Sequence, residues 1–143
     1  MPSVAGNRRA LDEWFGTPAG QALWSREQTV IRRLLADCFG HHGVEVGTPS
    51  AADSILVDCT LGHRVRLTVD TEGDLGGGFR GYLHSLALRP RSIVAAVLVH
   101  VVDYHPAPGS VLAAVEQALA PGGMLVVSAF NPWSPTVLRA QYT

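Results

Sequence analysis

Residues 92–134, SIVAAVLVHVVDYHPAPGSVLAAVEQALAPGGMLVVSAFNPWS, constrain the fold of this chain more than any other stretch. Ile93 to Val102 is almost continuously apolar and β-branched, the pattern of a parallel strand covered on both faces. A polar loop, Asp103 to Gly109, leads into a helical pattern from about Ser110 to Ala120. Val111, Leu112, Val115 and Leu119 share one side of that helix, and Glu116 and Gln117 point outward. Pro121-Gly122-Gly123 is a stop, because proline cannot continue a helix and glycine supplies positive φ. Met124 to Ala129 is a second strand of the buried type. Two buried parallel strands joined by a helix require a right-handed crossover and a three-layer α/β sandwich.

Such a sandwich needs a core, and 143 residues at 47% hydrophobic content supply one without disulfides or metals. The expectation is one domain over 1–143, with residues 1–10 (MPSVAGNRRA) flexible. A net charge of -1 leaves no electrostatic footprint for nucleic acid or an anionic membrane surface. Cys38 and Cys59 form neither a zinc pair nor a redox pair, and the N-terminus carries no apolar secretory segment. A cytoplasmic location is therefore expected. The longest apolar run, Ile93 to Val99, is too short to span a bilayer.

Leu11 to Phe15 sets three large apolar residues beside two acids, as in a short docked element. Thr17-Pro18 is a helix start, with Thr as cap and Pro at the first helical position. The following pattern predicts a helix over 19–39. Leu23, Trp24, Ile31, Leu34, Leu35 and Cys38 form its apolar face, with Arg26, Glu27, Arg32 and Arg33 elsewhere. Gly40 reads as its stop and His41-His42-Gly43 as a turn. Val44 to Gly47 reads as the first strand of an open sheet. Ile55 to Cys59 reads as a strand or strand-like piece, and Gly62-His63 as a turn. Val65, Leu67 and Val69 alternate with polar residues, the clearest period-2 strand in the chain. The glycine-rich stretch 71–81 is a connector, since no helix follows its glycines closely enough to cradle a phosphate. Tyr82 to Leu88 reads as a short strand or extended segment.

Leu119 to Ser128 (LAPGGMLVVS) resembles the helix-PGG-strand signature before the fifth strand of class I S-adenosylmethionine-dependent methyltransferases. Val97 to Val102 is similar to that family's fourth strand. Trp14 to Gly20 (WFGTPAG), Gly40 to Gly43 (GHHG) and Phe130 to Ser134 (FNPWS) resemble a small bacterial subgroup of type-11-like methyltransferases. The resemblance covers about 11–138. It implies a Rossmann-like αβα sandwich with strands ordered 3-2-1-4-5, then 7-6, and S-adenosylmethionine at the C-terminal ends of strands 1, 2 and 4. It also implies Glu45 and Gly47 as first-strand cofactor residues, and Asp70 as the acid that binds the ribose.

The sequence departs from that pattern in four places. Thr48-Pro49 replaces the later glycines of the first-strand motif. Asp70 lies farther from Glu45 than the roughly 20 residues usual for such an acid. Tyr82-Leu83 stands where relatives carry an Asp-Pro pair with the acid on the adenine side, and Leu86-Ala87-Leu88 where they carry Leu-Pro-Phe. The chain also stops soon after the fifth strand, so the 7-6 hairpin is expected to be absent and that strand to be an apolar edge.

His100, at the end of the family's fourth strand, falls where the acceptor pocket would open, and is the candidate catalytic residue. Its alternative is a buried histidine satisfied by backbone. His100, Asp103 and His105 lack the helical spacing of a metal site, and no metal is expected. Asn131 and Trp133 are candidate acceptor contacts or, alternatively, part of a structural chain turn. Two functions follow. One is methyl transfer from S-adenosylmethionine to a small-molecule acceptor. The other is a catalytically degenerate domain that docks a protein partner, or a second copy as a homodimer, on its fifth-strand edge. Neither involves nucleic acid or a membrane.

Overall fold

The computed structural model describes residues 4–67, 90–104 and 108–130, with side chains from Arg8 onward. Its elements in chain order are α1 (Val4–Phe15), α2 (Pro18–Leu35), β1 (Phe39–Val46), β2 (Thr60–Leu67), β3 (Ile93–Val99), α3 (Val101–Tyr104), α4 (Pro108–Ala118) and β4 (Leu119–Ser128). The four strands form one sheet in the order β2-β1-β3-β4, and every pairing is parallel. This is an α/β fold with helices packed on its faces.

Alternation along β3 divides the core. Ala96 and Leu98 point to the face covered by Val111, Val115 and Ala118 of α4. Ala95, Val97 and Val99 point to the face covered by Trp24, Ile31 and Leu35 of α2. A central parallel strand must be apolar on both sides, and β3 meets that demand between β1 and β4.

The helix start at Thr17-Pro18 is as the sequence predicts. The Thr17 hydroxyl accepts a hydrogen bond from the Gly20 N–H at 3.2 Å, and Pro18 opens α2. The element expected over Leu11–Phe15 is the C-terminal end of the longer α1.

Other boundaries move. The helix α2 ends at Leu35, and Gly40, His41, His42 and Gly43 lie inside β1 rather than in a stop and turn. Their backbone groups are recruited by β2, with Gly40 opposite Leu61 and His42 opposite His63. Gly62-His63 is likewise strand, not turn. Ile55 and Leu56 are fully buried but sit in turns, so burial rather than pairing explains their apolar character. The helix α4 ends before Pro121-Gly122-Gly123, which falls within β4. Leu119 pairs with Ile93 and Met124 with Ala95 across an irregular register, and Gly122 takes φ +77°. Among the described residues no helix is long and apolar enough to cross a membrane. Thr68 to Arg89, with the strand expected over Tyr82–Leu88, lies outside the described residues.

Candidate functional site

From β1 the chain moves to β2 over the α2 face, where Ile55 and Leu56 pack with Trp24, Ile31 and Leu35. From β3 it moves the other way, to β4, over the opposite face through α4. The connections therefore diverge between β1 and β3. In open parallel sheets, ligands bind in the crevice at the C-terminal ends of strands at such a point.

Gly47 stands at that end of β1 with φ +85°. A Cβ there would lie 2.5 Å from the Val99 carbonyl oxygen and 3.1 Å from Val101 Cγ2. Both the backbone angle and the close approach of β1 to β3 exclude a side chain. Glycine is therefore required here by the backbone angle and by packing against β3.

Glu45 is 0% exposed, and its carboxylate is committed inside the protein. Oε2 accepts hydrogen bonds from the Ser54 hydroxyl at 2.5 Å and from the Leu56 N–H at 3.2 Å. Oε1 makes an ion contact at 3.5 Å with Nε of Arg66, which faces Glu45 across the β1–β2 register. Arg66 also donates to the Ala52 and Pro49 carbonyls, each at 2.7 Å, and Arg64 donates to the Val57 carbonyl at 2.6 Å. The segment between β1 and β2 contains no helix, so its backbone groups need partners from elsewhere. Glu45, Arg64 and Arg66 supply several of them.

His100 follows β3 in the left-handed region at φ +55° and is 0% exposed. Nδ1 lies 2.7 Å from Asp103 Oδ2, and Nε2 lies 2.8 and 2.9 Å from the two oxygens of Glu27. A carboxylate faces each ring nitrogen, an arrangement that favours the charged ring, in which both nitrogens donate. Burial works against that charge, but the hydrogen bonds to Asp103 and Glu27 and the charges of those two acids outweigh it. The His100 pKa is raised above 6.5. Phe130 lies over the ring at 4.3 Å, and its N–H donates to Asp103 Oδ2 at 3.1 Å. The backbone N–H of His100 donates to the Ser128 carbonyl at 3.0 Å. His100 thus ties α2, β3, α3 and the end of β4 together. With both nitrogens engaged, its geometry is that of a positioning residue rather than a free base.

Helix α1 lies across the end of β1. Arg8 pairs with Asp12 at 3.1 Å, and its second amino group reaches the Thr48 carbonyl and the Ser50 hydroxyl, each at 3.5 Å. Asp12 accepts the Ser50 N–H at 2.9 Å. Burial pushes its carboxyl up, but the Ser50 hydrogen bonds and the Arg8 charge prevail and hold it below the ordinary value.

Among the sequence candidates, Gly47 and His100 lie at the C-terminal ends of β1 and β3, and Glu45 sits beneath the loop leaving β1. Asp70, Asn131, Trp133 and His105 lie outside the described residues. The residues that sequence reasoning missed are Glu27, Arg66 and Arg8. Glu27, set off the apolar face of α2 by the sequence pattern, had a signal all the same: it stands three residues after Trp24 and four before Ile31, and in the structure it turns to the buried His100. Arg66 is recognisable only once register sets it opposite Glu45. Among the described residues no group of His, Cys, Asp and Glu is arranged to hold a metal ion. No protein-family model matches the chain, and no curated protein matches it.

Proposed function

We propose that the chain is an S-adenosylmethionine-dependent methyltransferase-like protein that transfers a methyl group to a small-molecule acceptor. The observation that carries this reading is Gly47, a glycine required by φ +85° and by the close approach of β3, where the connections diverge. The order β2-β1-β3-β4 supports it, since it matches the 2-1-4-5 part of the family's strand order. S-adenosylmethionine, held at the C-terminal ends of β1 and β3, would supply an electrophilic methyl group on its sulfonium; the acceptor would take that methyl and give up its proton to solvent or a base, and S-adenosylhomocysteine would be released. Glu45 serves this site indirectly, by holding the loop after β1. His100, clamped between Glu27 and Asp103, fixes the rim after β3. Asp70 remains the proposed ribose ligand, and Asn131 and Trp133 the proposed acceptor contacts.

A second reading, a degenerate domain that binds a protein partner or its own copy, is favoured by one observation. The carboxylate of Glu45 is spent on Ser54, Leu56 and Arg66, and no helix follows β1 to complete a glycine-loop site. Its docking surface would be β4, which is paired on one side by β3 and, among the described residues, by no strand on the other.

Titration with S-adenosylhomocysteine, read as melting temperature, separates the two. A ligand that binds only the folded state raises it by RT ln(1 + [L]/Kd), about 2.7 kcal/mol at a hundredfold excess over Kd. A concentration-dependent rise is expected. No shift at millimolar ligand, with a dimer on size-exclusion chromatography, would establish the second reading instead.

A further inference from the structure

Cys38 and Cys59 are both free thiols, and both are half-buried. Their spacing in the chain is no redox motif, yet the fold brings them together. Phe39 and Thr60 are partners across the parallel strands β1 and β2, and the two cysteines are the residues immediately before that pair. Neighbouring strands run about 4.8 Å apart, within the range of roughly 4.4–6.8 Å found between the Cα atoms of a disulfide. One atom fixes the proximity independently. The Cys38 N–H donates to the Leu35 carbonyl at 3.0 Å, and the Cys59 sulfur lies 4.0 Å from the same oxygen. Both side chains also pack against one cluster, on the face covered by α2.

The pair sits at the N-terminal ends of β1 and β2, the far end of β1 from Gly47, so its chemistry is separate from the crevice. Between the two cysteines lie β1 and the helix-free crossover that Glu45, Arg64 and Arg66 hold. A bond from Cys38 to Cys59 would close that whole segment into a loop and restrict it in the unfolded chain. Burial pushes both thiols up. Asp37 adds to the rise at Cys38, and the charges of Cys38, Asp58 and Glu45 add to it at Cys59, against Arg64. Thiolate is the attacking form, so exchange at this pair is slow near neutral pH and quickens as pH rises.

We propose that Cys38 and Cys59 are a redox-sensitive pair, which a small-molecule disulfide converts to an intramolecular disulfide that staples the β1–β2 crossover. One cysteine thiolate attacks the small disulfide, forms a mixed disulfide with the protein and expels one small thiolate. The second cysteine thiolate attacks the protein sulfur of that mixed disulfide and expels the other. The two thiol protons end on the departing thiolates. The protein loses two electrons, and the small disulfide is reduced to two thiols.

The test incubates the full native chain with oxidised glutathione, at neutral and at mildly alkaline pH, and follows it by mass spectrometry after alkylation. The expected product has lost two hydrogens, carries no glutathione, and yields on digestion a peptide pair joined through Cys38 and Cys59. It should form faster at the higher pH and revert with dithiothreitol. The oxidised chain should melt roughly 5–10 °C above the reduced one, the scale expected for a crosslink closing a loop of this size. Cys38→Ser and Cys59→Ser, each with one thiol left, should stop at the glutathione adduct and show no such rise. A parent chain that keeps both thiols free, stops at glutathione adducts, or crosslinks between molecules overturns the proposal. So does a bond that forms only in urea, because the native fold then holds the two sulfurs apart. An oxidised chain that melts no higher than the reduced one overturns the staple.

Discussion

The two ends of the sheet solve the same problem by different means. Between β3 and β4 the crossover is α4, whose backbone bonds are internal and whose Val111, Val115 and Ala118 are buried against the sheet. Between β1 and β2 the crossover has no helix, and its carbonyls and N–H groups are met by Glu45, Arg64 and Arg66. One crossover is held by an apolar stripe and the other by a buried charge pair. The difference predicts which kinds of substitution each half tolerates. Apolar volume decides stability around α4, whereas loss of one charged partner decides it around β1.

The largest effect should come from Arg66→Ala. It leaves the carboxylate of Glu45, itself 0% exposed, without its cation, and removing one partner of a buried pair costs about 3 kcal/mol. Arg66 is itself partly exposed, which places the figure at the low end of that class. Urea unfolding of Arg66→Ala and of the double variant with Glu45→Gln sharpens the point. The double variant should recover part of the loss, since it no longer buries a charge. Val115→Ala, the matching lesion under α4, should cost about 2 kcal/mol through lost burial and a small cavity. If Arg66→Ala proves the milder of the two, the contrast between the halves is wrong.

The next effect depends on pH and lies where the two halves meet. The folded-state pKa of His100 is raised above its ordinary 6.5. The stabilisation from its bonds to Glu27 and Asp103 is fully present below about pH 6.5 and is lost as pH rises through the folded value. Thermal unfolding from pH 6 upward should show this decline, and His100→Gln should flatten it. An unchanged slope in that variant would assign the decline to other groups. The smallest effect belongs to Thr17→Ala. It removes the α2 cap and should cost about 1 kcal/mol in either pH range, measured by denaturant midpoint.

The contrast between the halves also explains what was legible. The β3–α4–β4 unit declares itself because each element carries its own periodicity: an apolar run, a helical stripe, then a second apolar run. Around β1 the same approach misplaced boundaries. Gly40 to Gly43 carries turn-like residues, yet it is strand because β2 offers a ladder to its backbone. Ile55 and Leu56 look like strand residues because they are apolar, yet they fill the core from turns. Local composition reports burial more faithfully than it reports hydrogen-bond partners.

The candidate site divides in the same way. Gly47 was recognisable as a special position, and His100 as a histidine at a strand end. That the ring is clamped between two acids depends on Glu27, 73 residues away in the chain. Nothing local to His100 encodes that partner. Its only sequence trace is the spacing of Glu27 from Trp24 and Ile31 along α2.

The sequence alone thus determined the parallel α/β class, the crossover after β3 and the glycine at the end of β1, because each follows from short-range periodicity or backbone sterics. The tertiary structure decided that Glu45 is an internal staple, that His100 is buried between two carboxylates, and that Arg8 of α1 reaches the loop leaving β1. Those outcomes depend on strand register and on which helix covers which strand end. Such contacts join residues far apart in the chain, and no window of neighbouring residues contains them.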